Sequence, residues 1–221
     1  MKASRLALVI VALFSGIALT AQTDGQLTIT SAAIEPCAVD QSCYQQLHAT
    51  GGTAPLRWRI VGGSLSEGLQ LDAPSGVISG IATNAAEYEV TLQVSDSNNP
   101  PRSASRVFRS KTVPSLVMDW KVAPTLQATT ISGSVTVSNN GDDVLDLTVI
   151  IVAVNETGKA FALGYQHFDL AAKTAEQLIT FSSQLPGGRY TVRADAIGEV
   201  AARRKIYRAA REARPFQVPV Q

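Results

Sequence analysis

Histidine is nearly missing from this chain, with two among 221 residues, and cysteine is equally scarce. A catalytic triad needs a base beside its nucleophile, and a soft-metal site needs three or four converging ligands, so both chemistries have little to draw on. His48 and His167 read as ordinary strand or surface residues. Charge is sparse too, at 17% Asp, Glu, Lys and Arg with a formal net of +1. A nucleic-acid binder is therefore not expected, because neutralising phosphates takes a clustered excess of Lys and Arg. Charged runs with helical period are lacking until the C-terminal stretch.

What the chain has in quantity is Val, Ile and Thr, whose branched side chains favour strands. At roughly 100 to 150 residues per domain, its length leaves room for two small domains. Residues 1–21 are expected to be a secretory signal peptide: Lys2 and Arg5 precede the apolar run Leu6 to Phe14, extended by Ile17 to Leu19, with Ala18 and Ala21 as small residues near a cut. That run is shorter than the roughly 20 residues a membrane span needs. The expectation is an exported protein, periplasmic, cell-surface associated or secreted, with no transmembrane span after cleavage. In an oxidising compartment the close pair Cys37 and Cys43 is expected to form a local disulfide.

Residues 26–113 carry the punctuation of a β-sandwich. Tyr44 to Ala49 reads as a strand, Gly51-Gly52-Thr53-Ala54-Pro55 as a turn, and Leu56 to Val61 as a strand with Leu56, Trp58 and Ile60 on one face and Arg57 and Arg59 outward. Tyr88, Val90, Leu92 and Val94 alternate with Glu87, Glu89, Thr91 and Gln93, the pattern of a half-buried strand. Asp96 to Pro101 is a loop and Ser103 to Val113 a further strand. Tyr44 and Leu47 before Gly51-Gly52, then Trp58-Arg59-Ile60, Leu65-x-x-Gly68-Leu69-x-Leu71, Gly76-Val77-Ile78-Ser79-Gly80 and Tyr88-x-Val90-x-Leu92-x-Val94-x-Asp96 together resemble the bacterial putative-Ig domain. The resemblance implies a cadherin-like sandwich, although Ser66 and Glu67 stand where that family usually has a proline.

Residues 114–221 form the second expected unit. Val122-Ala123-Pro124 is expected to end its first strand. Ile131 to Ser138 alternates, Asn139-Asn140-Gly141-Asp142-Asp143 reads as a hairpin turn, and Val144 to Val154 as a buried strand. Later strands are expected at Phe161 to Leu170, Glu176 to Ser182, Arg189 to Ile197 and Phe216 to Val220. Val135 to Gly141 with Gly188 to Asp195 resembles the bacterial cell-adhesion-related (CARDB-type) domain, another Ig-like sandwich. The overall expectation is an all-β chain of two consecutive Ig-like antiparallel sandwiches.

Residues 197–214 are expected to be a basic loop, with the alanines Ala201, Ala202, Ala209 and Ala210 favouring a helical turn. Its cations Arg203, Arg204, Lys205, Arg208 and Arg211 are the candidate partner-binding residues, for a protein or a polyanionic surface. No metal site is expected. The weak candidates are Asp96 and Asn98, which look slightly like a cadherin calcium linker, and Asp142 and Asp143; no cofactor is expected, with calcium the one considered. The favoured function is an exported, non-catalytic binding or adhesion protein. The alternatives are an accessory subunit or enzyme whose site forms only on assembly, or a calcium-dependent cadherin-like adhesion module. A concave pocket with converging polar groups would favour an enzyme, and an open face or edge a binder. A non-reducing digest of the exported chain should yield Cys37 and Cys43 in one linked mass; two free thiols there would remove the disulfide.

Overall fold

A computed structural model of the chain describes residues 25–220, and the expected signal peptide lies outside the described residues. The first sandwich uses nine strands: β1 (Thr28–Ile29), β2 (Cys37–Ala38), β3 (Ser42–Gln46), β4 (Ala49–Thr50), β5 (Arg57–Gly63), β6 (Leu69–Asp72), β7 (Val77–Ile81), β8 (Glu87–Ser95) and β9 (Ser103–Val113). One sheet runs β2-β9-β8-β5 and the facing sheet β3-β7-β6, with β1 and β4 paired separately. Pairing is antiparallel except for the short β2, which lies parallel to the end of β9.

Alternation along β8 sets the inner face. Val90, Leu92 and Val94 are fully buried, and Trp58, Leu69, Ile78 and Phe108 close over them. Turn glycines hold the facing sheet together. Gly68 and Gly80 both have positive φ, and a Cβ on either would lie 2.0 Å from a carbonyl oxygen, that of Ile81 or of Gly68. Only glycine tolerates that approach in that conformation. Ile60 departs from expectation. It pairs with buried Leu92 and so lies on the inner face, yet it is 41% exposed. The cause is position: β5 is an edge strand, and a register shift follows directly after Ile60.

The second sandwich comprises β10 (Leu116–Gln127), β11 (Thr130–Asn139), β12 (Leu145–Asn155), β13 (Ala160–Leu170), β14 (Gln177–Gln184), β15 (Gly188–Val200), β16 (Lys205–Glu212) and β17 (Phe216–Val218). A three-stranded sheet β10-β11-β14 faces a five-stranded sheet β13-β12-β15-β16, with β17 also on β15. Leu147, Val149 and Ile151 of β12 meet Met118, Val135 and Val137 across the interior. Apart from the Cys37–Cys43 disulfide, which is present, no covalent link supplements these two cores among the described residues.

Three expectations for this half need correction. The strand does not end at Val122-Ala123-Pro124; β10 passes through with register shifts on both sides of Val122. It is an edge strand, where a proline can sit at a bulge without breaking the sheet. Asn139 to Asp143 is not a hairpin turn. β11 and β12 belong to different sheets, so this segment crosses between layers. Asn139 fixes the crossing from inside: it is 1% exposed, and its amide donates to the carbonyls of Asp143, Leu170 and Ala171 while its Oδ1 accepts from Gly141 N–H. The basic loop 197–214 is also different. Its first residues extend β15, Ala201–Arg203 make one 3-10 turn, and Lys205–Glu212 return as β16. Satisfying the β15 backbone outweighs the weak helical preference of alanine, and Tyr207 and Ala209 turn inward with period two.

Trp58 is 4% exposed within the first core. Trp58→Ala should destabilise the chain by about 3 to 5 kcal/mol in urea unfolding.

Candidate functional site

A polar cluster lies where the two sandwiches meet. The Cys37–Cys43 disulfide closes a short ring, and that ring presents Asp40 and Gln41. Asp40 has a positive φ of 61°, which turns the chain toward the second sandwich. Gln41 is 3% exposed. Its amide nitrogen donates to the Tyr207 hydroxyl at 3.0 Å and to Asp143 Oδ2 at 3.3 Å, and its carbonyl oxygen accepts from Arg203 at 3.3 Å. Arg203 also pairs with Asp143 at 3.2 Å, and Lys205 with Asp40 at 3.3 Å. The Ser115 hydroxyl donates to the Val39 carbonyl at 2.6 Å, so the short linker is held as well.

Most of the candidate partner-binding cations therefore have partners inside the chain. Arg203 and Lys205 join the sandwiches, and Arg211 reaches Asp119 on β10 at 2.7 Å. Arg204 closes the β15–β16 turn with φ 52°, its N–H bonded to the Ala201 carbonyl. Arg208 lines a crevice of about 270 Å³ between the sandwiches together with Asp40, Asn84 and Tyr207. Sequence reasoning singled out these cations and missed Gln41, whose only signal was its place inside the cysteine ring.

The weak metal candidates are committed to hydrogen bonds and ion pairs. Asp96 is 6% exposed, and its carboxylate accepts from the N–H groups of Thr53, Asn98 and Arg102 and from the Asn98 amide. Desolvation pushes this carboxyl up, but the bonds from Arg102, Thr53 and Asn98 together outweigh it and hold the group below the ordinary carboxylate range. Asn98 serves Asp96, Asp142 pairs with Lys173 at 2.8 Å, and Asp143 with Arg203. Among the described residues no group of three His, Cys, Asp or Glu could hold a metal ion. His167 stands 3.3 Å from Asp146 and 3.0 Å from the Thr148 hydroxyl on an exposed sheet face.

Two open concavities flank the first sandwich. One, of about 650 Å³, lies between Ala33–Pro36 and the ends of β8 and β9, with Glu35, Glu87, Tyr88 and Lys111 around it. Burial raises the Tyr88 hydroxyl pKa, with Ser110 pulling the other way. The other, of about 440 Å³, lies over β5 and is lined by Arg57, Arg59, Gln93, Ser95 and Ser103.

Two predictions follow from these bonds. Asp96, and Asp72, whose carboxyl is lowered by the Ser75 hydroxyl and N–H, have folded-state pKa values below the unfolded value of about 3.9. Their contribution to stability is complete above that pH and is lost as pH falls toward the depressed folded values. Urea midpoints should therefore drop below about pH 4, and Asp96→Asn should flatten part of that drop. At the junction, Gln41→Ala should cost about 1 to 3 kcal/mol and raise amide exchange at Ser115 and Leu116. Unchanged exchange there would show that Gln41 does not couple the sandwiches.

No curated protein matches the chain. Among solved structures, the chain is similar to a putative alpha-galactosidase from Bacteroides fragilis, with 24% identity over 41% of this chain and 18% of that one at a TM-score of 0.36. It is also similar to mouse cadherin-23 EC22-24, at 16% identity, 89% and 67% coverage and TM-score 0.34. Protocadherin gammaB7 EC3-6 gives 15%, 88% and 52%, with TM-score 0.38. The chain thus spans less than a fifth of the galactosidase's length and about half of the protocadherin's. Residues 18–113, the stretch that contains the first sandwich, match the family model described as Putative Ig domain.

Proposed function

We propose that the chain is an exported, non-catalytic binding or adhesion protein, in which two Ig-like domains, residues 26–113 and 114–221, form a rigid mount for exposed sheet faces. The second domain is of the cell-adhesion-related type. The observation that carries this reading is the junction: a buried amide and two ion pairs tie the sandwiches together. A fixed tandem holds its faces at a set distance and angle, which suits recognition of an extended surface. Those faces are open to solvent. On the five-stranded sheet Tyr165 and Ile150 stand opposite each other, 66% and 37% exposed.

No cofactor takes part in this reading. Asp96, Asp142 and Asp143 already serve internal hydrogen bonds and ion pairs, which supports a scaffold role for them. Work outside the cytoplasm accords with the disulfide. No helix among the described residues is long and apolar enough to cross a membrane.

Labelled exported chain should bind its own envelope fraction saturably, and the bound material should be recovered chemically unchanged. Failure to saturate, or release of new products from the envelope, would overturn the proposal.

A further inference from the structure

We infer that the outer face of the four-stranded sheet at Arg57 and Arg59 is a binding site for an acidic polysaccharide, held through its carboxylates. This rests on the binding-module reading and names its ligand class. Arg57 and Arg59 are two apart on β5, so both side chains leave the same face, about 7 Å apart along the strand. Register places each in a row across three strands: Arg57 with Ser95 and Ser103, and Arg59 with Gln93 and Ser105. Arg57, Arg59, Gln93, Ser95 and Ser103 of these rows line the concavity of about 440 Å³.

No carboxylate is paired with Arg57 or Arg59 among the described residues, and the two exposed side chains share one face of a single strand. Arg59 Nε donates to Gln93 Oε1 at 2.6 Å, which orients the guanidinium and leaves its terminal nitrogens to a ligand. Elsewhere in the protein Arg109, Arg193, Arg203 and Arg211 each have a carboxylate within 3.2 Å. Arg208 faces a crevice that already holds Asp40. Placing two guanidinium groups on one face without counterions costs repulsion, which an anionic ligand relieves. The planar fork matches a carboxylate in two parallel hydrogen bonds.

The rest of the site selects the carrier of the carboxylates. Ser95, Ser103 and Ser105 hydroxyls and the Gln93 amide can both donate and accept, which suits the hydroxyls of a sugar chain. Neither of these two rows carries a large apolar side chain to anchor a peptide; the exposed Val107 lies one row further on, beside Thr91. Strand spacing of about 4.8 Å sets these groups on a flat ladder that an extended polymer can follow.

The test uses the exported chain and sodium polygalacturonate, with dextran as neutral polymer and poly-glutamate as acidic peptide. Polygalacturonate should bind, dextran should not, and poly-glutamate should bind at least about tenfold more weakly, the equivalent of about one charged hydrogen bond. Arg57→Gln and Arg59→Gln should each weaken polygalacturonate about tenfold with the melting temperature unchanged. Arg59→Lys should recover only part of the loss, because charge remains while the fork is gone. Binding should weaken as salt rises, since exposed charges are screened beyond roughly 8 Å at physiological ionic strength. Equal binding of poly-glutamate would make the site a peptide site, and unchanged binding by both Gln variants would remove it. If polygalacturonate fails while envelope binding persists, the ligand class is wrong and the binding-module reading stands; if both fail, that reading falls too.

Discussion

The Gln41 side chain is the constraint on which the arrangement of the two halves depends. Burying an amide without partners costs a few kcal/mol, so a 3% exposed glutamine has to find donors and acceptors wherever it is placed. Its partners Tyr207, Arg203 and Asp143 all come from the second sandwich, so the amide is satisfied only when the halves are docked. The disulfide ring positions Gln41 from one side. On the other side, the β15–β16 hairpin brings Arg203 and Tyr207, and the inter-sheet crossing held by Asn139 brings Asp143. Gly141 within that crossing has little room: a Cβ there would come to 3.2 Å from Gln41 Nε2.

The distribution of charge follows from the same docking. Arg203 and Lys205 stand on a hairpin whose inner face meets the first sandwich and β10, so their nearest anions belong to the chain itself. Exposed pairs of this kind are worth about 0 to 1 kcal/mol each. Their role here is geometric: together with the buried amide they choose one orientation. A cation-rich segment read without its neighbours looks like a ligand site, whereas the folded chain supplies most of the counterions.

Strand alternation was legible in the sequence on β8, where Val90, Leu92 and Val94 alternate with polar residues. On β12 Val149 to Val152 run together and read as a buried strand, whereas the structure turns Leu147, Val149 and Ile151 inward and leaves Ile150 exposed. Legibility failed at edges and crossings. Ile60 obeys the alternation and is still exposed, since burial at an edge depends on how far the facing sheet extends. Asn-Asn-Gly-Asp-Asp has hairpin chemistry, but whether two strands pair is decided by the sheets they join. The alanines at 209 and 210 favour a helix locally, and the free edge of β15 overrode them. Cys37 and Cys43 were legible as a pair, but not the use of the ring they close.

The arginine face of the first sandwich is tied to its core through a single strand. On β5 the side chains alternate, so the inward position of Trp58 is what turns Arg57 and Arg59 outward. A slip of one residue would bury two guanidinium groups and expose the indole, an exchange the hydrophobic interior strongly opposes. Gly76 makes that position still more specific: a Cβ there would lie 2.5 Å from Trp58 Nε1, so the indole rests against bare backbone. Gly76 and Trp58 therefore do more than fill a core. They fix the register of β5, and through it the face that any ligand of this sheet would meet.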